Sequence, residues 1–383
     1  MKTFLTLVFS LLTSLLLTAG IELSPKAEIS VLTCSPGNEL YSVFGHSAIR
    51  VMDPGRMDQV YNYGTFEFTD DFYVKFARGK LNYRLSRASF SAFQYEYMMT
   101  GRSIDEQVLD LTQEQKQVLF DYLEWNHLPE NRYYLYDFFY DNCATRIRDV
   151  LAETLEDNLT YHSSFAPDSA TFRNMIDLYL TDMVWSDFGI DLALGVPCDK
   201  KLEAQENMFL PDYVFSELAS ARLNGKPLVK QTRELLPAEP IDDSPLFNWP
   251  MLVAGMIALL AFAHLAMYRI RGRAGYLVPR LLLVTYGLLG VLVFLLWFFT
   301  DHTTTQLNLN IIWAFPLHLL AAFLLKRDRF RRVYFRTFAL IYVVFLLTGF
   351  WWPQNFHPAS YELAVAMLAI CLRLGFNASG KND

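Results

Sequence analysis

Cysteine and histidine are the residues of this chain best suited to covalent chemistry near neutral pH, and one of each stands in a setting that favours it. Residues 133–151 begin as an aromatic run, Tyr-Tyr-Leu-Tyr-Asp-Phe-Phe-Tyr, with high β-propensity. The pattern then changes period, and Ala144, Ile147 and Leu151 recur at helical spacing. Asp141 and Asn142 occupy the junction, and both side chains cap helix N-termini well. Cys143 therefore falls in the first turn of a helix, where the helix dipole and free N–H groups favour the reactive thiolate. The same position also suits a small buried residue at an ordinary loop-to-helix junction.

A thiol nucleophile needs a base within hydrogen-bond reach, and imidazole is the usual one near neutral pH. Residues 21–245 contain His46, His127 and His162. His127 ends a helix in Asn-His-Leu-Pro, where capping explains it. His162 sits in a polar loop. His46 stands on a strand after Gly45, whose missing side chain admits a second backbone or a ligand, and it is the natural partner for Cys143. A third group usually orients the imidazole. If Asp53 to Arg56 form a hairpin turn, Met52 faces Met57 and His46 lies opposite Tyr63, with Asn62 one residue away. Asn62 is then the expected orienting residue, ahead of Tyr63 and Asp58, and a slip of one residue reorders them. Asn142, Tyr63 and Arg146 are the secondary candidates around the oxyanion.

These residues must be held by a mixed α+β domain. Strands are expected over 29–32, 40–51, 59–68, 72–76, 83–85 and 106–111. The 40–51 and 59–68 strands form the hairpin. Thr112 caps a helix running to about Trp125. Further helices are expected over 169–185 and 211–223.

The N-terminus reads as a secretory signal peptide over 1–20, with Lys2, an apolar run and Thr18-Ala19-Gly20. It could also remain as an anchor. The domain spans 21–224, and a proline-rich linker spans 225–248. The tail, 249–383, carries five apolar segments near 251–268, 277–299, 308–325, 333–352 and 359–376, each about long enough to cross a bilayer. Arginines crowd the first and third connections, while the second and fourth have no Lys or Arg. The excess of positive charge places the first and third connections in the cytoplasm. The 21–224 domain is then outside, as the signal peptide separately requires. Histidines 264 and 318 lie in these segments, where interfacial packing competes with a functional role.

A net charge of −7 argues against a nucleic-acid partner. The four cysteines, Cys34, Cys143, Cys198 and Cys371, form no Cys-x-x-Cys pair and no cluster with histidine, so neither a metal nor a cofactor is expected. In an oxidising exterior Cys34 and Cys198 could form a disulfide or remain thiols.

Four stretches together resemble the Lnb family of bacterial membrane proteins. They are Leu32-Thr33-Cys34-Ser35-Pro36-Gly37, residues 44–51 (Phe-Gly-His-Ser-Ala-Ile-Arg-Val), residues 61–66 (Tyr-Asn-Tyr-Gly-Thr-Phe) and residues 141–149 (Asp-Asn-Cys-Ala-Thr-Arg-Ile-Arg-Asp). The likeness covers most of the outer domain and extends to the tail. It implies an inner-membrane enzyme that moves an acyl chain from a phospholipid donor to a diacylated lipoprotein. A strand histidine followed later by Asn-Cys at a helix start also resembles the circularly permuted papain-like (NlpC-type) fold, of which lecithin–retinol acyltransferase is a member. The implied architecture is a papain-like α+β periplasmic domain followed by a five-helix transmembrane bundle. A cell-wall amidase gives little reason for five spans. A non-enzymatic sensor would need a cytoplasmic effector larger than these short basic loops.

Overall fold

The computed structural model describes residues 21–66, 70–161, 166–167, 169–239, 247–266 and 273–376. The expected signal segment, His162, Arg269 and Arg271 lie outside the described residues.

A seven-stranded sheet organises the N-terminal half, in the order β10-β5-β1-β2-β3-β4-β6, with every described pair antiparallel. The strands are β1 (Glu28–Cys34), β2 (His46–Asp53), β3 (Met57–Thr65), β4 (Asn82–Ser89), β5 (Ile104–Leu109), β6 (Tyr133–Leu135) and β10 (Val229–Leu236). Between β6 and β10 in sequence, β7 (Leu159–Thr160), β8 (Arg222–Leu223) and β9 (Lys226–Pro227) form a small separate sheet.

β1 is buried at nearly every position because both faces of the sheet are covered. On one face Val31, Ile49, Val51, Tyr61 and Tyr63 pack with Ala144, Ile147 and Leu151 of the helix Cys143–Leu155. Leu119, Phe120 and Leu123 of the helix Gln113–His127 join them. On the other face Leu32, Cys34, Ala48 and Val60 meet Phe93 and Tyr97 of the helix Phe90–Met99.

Several elements differ from expectation. Residues 72–77 are a short helix, not a strand. Strand β2 starts at His46 rather than at 40, because Gly45 adopts φ +78° and the residues before it turn. A side chain at 45 would also lie 2.9 Å from the Cys34 carbonyl oxygen. The stretch expected as one helix over 169–185 breaks into Phe172–Leu180 and Val184–Ala193. The expected linker over 225–248 in fact supplies β9 and the sheet-edge strand β10 before the chain leaves the domain.

The C-terminal half contains, among the described residues, four helices long and apolar enough to cross a membrane: Trp249–Ala266, Leu277–Phe299, Asp328–Trp351 (closing in a 3₁₀ turn) and Pro358–Phe376. The third expected helix, over 308–325, is not one. It is a 3₁₀ turn at Leu309–Ile312, a loop, and a four-residue helix at His318–Ala321. Pro316 and the backbone-competing Asn308 and Asn310 explain the break.

This broken segment runs antiparallel along Leu277–Phe299. Thr305 Oγ1 donates to the Leu296 carbonyl at 2.8 Å at one end, and Arg280 Nε donates to the Ala322 carbonyl at 3.1 Å at the other. Between them Gly287 and Gly290 let the backbones touch. A Cβ at Gly290 would lie 2.0 Å from the Ala314 oxygen, and one at Gly287 2.3 Å from the Leu319 nitrogen. Irregular backbone at membrane depth needs partners within the protein, and it has them. Trp313 Nε1 donates to Asn310 Oδ1, and Tyr342 OH donates to the Trp313 carbonyl, both at 2.8 Å. His318 is fully buried between the hydroxyls of Tyr334 and Tyr342, each at 2.8 Å, so it belongs to this polar lattice.

Hydrogen bonds join the two halves directly. Asn308 Nδ2 donates to the carbonyls of Leu192 (2.8 Å) and Ala193 (3.0 Å), and Asn310 Nδ2 to that of Asp191 (2.9 Å). Gln354 Nε2 donates to the Leu194 carbonyl at 3.3 Å. Asp301 N–H donates to the Arg78 carbonyl at 2.9 Å.

The possible disulfide does not form. Cys34 and Cys198 are both free and fully buried, in different cores. Cys34 faces His46 in the β1–β2 ladder. Cys198 lies among Phe172, Phe209 and Leu194, its sulfur 3.8 Å from the Thr304 carbonyl oxygen.

Candidate active site

The hairpin register decides which residues meet His46. Met52 pairs with Asp58 and Ile49 with Tyr61, one residue from the expected register. Side chains alternate faces along a strand, so His46 and Asn62 share one face of the hairpin and Tyr63 takes the other. Asn62 Oδ1 lies 2.6 Å from His46 Nε2. An amide oxygen only accepts, so Nε2 carries the proton and Nδ1 is left for a second partner.

The neighbour on that side is Cys143, whose side chain meets the imidazole over Gly64. Asn142 places the cysteine at the start of its helix. The Asn142 Oδ1 accepts from the N–H groups of Ala144 (2.8 Å) and Thr145 (2.9 Å). The Asn142 N–H donates to Thr145 Oγ1 at 2.8 Å, completing a reciprocal cap. The Asn142 Nδ2 donates to the carbonyls of Phe138 (2.7 Å) and Phe209 (2.8 Å), which fixes the loop before the helix to the phenylalanine core.

Gly64 lies against both side chains. It has φ +88°, a conformation that favours glycine, and a Cβ there would lie 3.6 Å from Cys143 Cβ and 3.7 Å from His46 Cε1. The end of β3 is thus the floor on which sulfur and imidazole come together.

The electrostatics are reciprocal. Burial pushes the Cys143 thiol up, but the neighbouring imidazolium, its hydrogen bond, and backbone contacts from Ser47 and Ala144 outweigh it, and the thiol lies below its ordinary range. Burial pushes His46 down, but the thiolate beside it and the hydrogen bonds to Cys143 and Asn62 hold it above its ordinary value. Both shifts move the pair toward thiolate and imidazolium, the form in which a cysteine attacks a carbonyl carbon.

The secondary candidates are committed elsewhere. Every hydrogen-bonding position of the Asn142 amide is used, so its role is to orient the helix start. Arg146 grips Asp141 with two nitrogens, Nη2 at 2.6 Å, and lies 4.2 Å from the Tyr134 ring centre. The Tyr63 hydroxyl donates to Asn126 Oδ1 at 2.6 Å on the far side of the sheet. Asp58 pairs with Arg50 at 2.7 Å. His127 ends its helix near Arg87 and Glu124. The contribution of Gly64 was missed, and its signal was a glycine inside the strand pattern Tyr-Asn-Tyr-Gly-Thr.

Asn142→Ala should cost about 1–2 kcal/mol of domain stability through loss of the cap. It should also slow alkylation of Cys143 by iodoacetamide, because the sulfur loses its fixed position. Unchanged melting and alkylation would contradict the orienting role.

Three carboxylates, Asp177, Asp187 and Asp191, come within 4.8 Å of one another. Arg173 binds Asp191 at 2.5 Å and His357 lies 3.5 Å from Asp187, so basic groups already meet this charge. Burial and the neighbouring acids push Asp177 up to about 7.

No curated protein and no solved structure matches the chain. Two family models do match, the Lnb N-terminal periplasmic domain over residues 23–177 and the Lnb transmembrane domain over 242–380, and together they support assignment of this chain to the Lnb family, as a membrane protein with a periplasmic N-terminal domain.

Proposed function

We propose that this protein is a lipoprotein N-acyltransferase of the inner membrane, working through an acyl thioester on Cys143. The observation that carries the reading is the Cys143–His46–Asn62 arrangement in a domain hydrogen-bonded directly to the membrane segments. The order of the strand histidine before Asn-Cys at a helix start leads us to read the domain as permuted papain-like (NlpC-type).

In the first half-reaction His46 Nδ1 holds the thiol proton while sulfur attacks an ester carbonyl of a phospholipid. The Cys143 backbone N–H, at the helix N-terminus, faces the developing oxyanion. The C–O bond breaks, the imidazolium returns the proton to the departing alkoxide, and a lysolipid leaves. In the second, the neutral α-amine of a diacylglyceryl-cysteine attacks the thioester. An amide bond forms, the C–S bond breaks, and the amine proton passes through His46 to the thiolate. No metal or cofactor takes part in this sequence.

Full-length protein given phospholipid but no lipoprotein should accumulate one acyl chain on Cys143, visible by mass spectrometry and released by neutral hydroxylamine. Absence of that adduct in protein whose Cys143 still alkylates normally would overturn the reading.

A further inference from the structure

A small basic cleft opens beside the candidate active site, at the contact with the membrane half. Its cavity of about 120 Å³ is lined by Thr65, Phe66, Lys75, Lys80, Asn82 and Arg84, among others. Three of these are cations, and Asn82 adds a neutral hydrogen-bonding group, while the Thr65 hydroxyl is held by Ser86 Oγ at 2.7 Å.

Two features tie the cleft to the reacting cysteine. Thr65 directly follows Gly64, the residue over which Cys143 and His46 meet. Phe66 packs on Tyr83 at 5.1 Å between ring centres, and Tyr83 lies within electrostatic reach of Cys143.

Four others tie it to the bilayer surface. The Phe76 carbonyl lies 3.0 Å from His302 Nε2, and the Arg78 carbonyl accepts from Asp301 N–H, just beyond the end of the apolar helix Leu277–Phe299. Lys80 reaches Asp301 at 3.3 Å. On the short helix that carries Lys75, Val74 and Phe76 are 60% and 52% exposed, apolar side chains turned outward beside a membrane loop.

We propose that this cleft is a subsite for the phosphate of a glycerophospholipid. This rests on the acyl-transfer reading above and names the group by which the donor is held. A phosphodiester carries a full negative charge and oxygens that lysine and arginine recognise. The glycerol unit joins that phosphate to the ester carbonyls, so a lipid anchored in the cleft presents an ester toward the adjacent sulfur. A diacylglyceryl-cysteine has the same two esters but no phosphate. The cleft therefore distinguishes donor from acceptor. Lys75 pairs with Asp71 at 2.8 Å and Lys80 with Asp301, but all four side chains are about half exposed. Such exposed pairs are weak and open readily to a stronger anion.

The test uses full-length protein carrying Cys143→Ala, which cannot turn over, titrated by calorimetry with dihexanoylphosphatidylglycerol and with dihexanoylglycerol. The phospholipid should bind at least about tenfold more tightly, with an affinity that falls as salt rises. Lys75→Gln together with Lys80→Gln should remove at least about tenfold of phospholipid affinity and leave dihexanoylglycerol unchanged. Lys75→Arg with Lys80→Arg should retain binding, which separates loss of charge from loss of fold. Equal binding of the two lipids, or full phospholipid affinity in the glutamine variant, would overturn the subsite. Glycerol 3-phosphate matching the phospholipid in affinity would overturn its assignment to a lipid. The readout involves no acyl transfer. Normal lipid binding without thioester formation in the wild type would therefore refute the enzyme and leave the subsite standing.

Discussion

Cys143→Ala should reduce lipoprotein N-acylation by at least about 10⁴-fold and abolish the acyl adduct, with the domain still folded. The expectation of a large catalytic effect and a small structural one comes from the local geometry. Asn142, not Cys143, caps the helix and anchors the loop, and those bonds survive the substitution. Alanine is well tolerated in a helix. Cys143→Ser should be nearly as inactive, because the imidazole that lowers a thiol into the useful range leaves a hydroxyl protonated. The measurement is the mass of lipoprotein N-terminal peptides from cells carrying each variant, with circular dichroism as the folding control. Ordinary N-acylation in Cys143→Ala would remove the mechanism entirely.

His46→Ala should slow acylation of Cys143 by about 10²–10⁴-fold and move the pH dependence of thiol alkylation upward. The sign follows from the two opposing influences on the sulfur. Burial raises the thiol, and the imidazole more than reverses this. Without His46 the upward push of burial is opposed by the backbone contacts alone, so the midpoint should rise. In the wild type, the acid limb of the acylation rate should report thiol ionisation, and the alkaline limb loss of the imidazolium that protonates the departing alkoxide. A lowered thiol and a raised imidazole widen the plateau between the limbs. His46→Ala should lose the alkaline limb and recover partly at high pH. Asn62→Ala should do the same more weakly, because it removes one bond that supports the imidazolium. Iodoacetamide kinetics against pH would check all three proteins. An unshifted profile in His46→Ala would separate the histidine from the cysteine.

The parts of this site that local sequence governs were legible, and the parts that tertiary contact governs were not. Asn142 before a helical period marks the start of the Cys143 helix because capping is a matter of adjacent residues. Asn62 was reached by a different route from the one the chain uses. The expected register put Tyr63 opposite His46, whereas the observed one puts Asn62 on the same face through strand alternation. A turn one residue different in effect was enough to exchange the faces. Asn142 and Arg146 looked available because composition cannot show that Phe209, distant in sequence, and Asp141 already hold them. The strand Val229–Leu236 resembled a linker because its partner, Ile104–Leu109, is more than a hundred residues away. In the membrane half, hydropathy found the 308–325 stretch but could not distinguish a helix from a broken segment. The distinguishing signs were Pro316 and, on the neighbouring helix, Gly287 and Gly290.

The side-chain amides that tie residues 191–194 to Asn308, Asn310 and Gln354 set the height of the N-terminal domain relative to the membrane segments. They act as struts that brace the N-terminal domain against the membrane segments. For an acyltransferase, delivery then becomes a problem of two-dimensional diffusion. Lipid and lipidated cysteine arrive sideways along the bilayer face at a level the protein has already chosen. The protein behind each lipidated terminus stays out of reach on its own tether. An acyltransferase built in this way would serve cargoes of unrelated shape, provided the first residues of each leave enough slack to pass beneath the head.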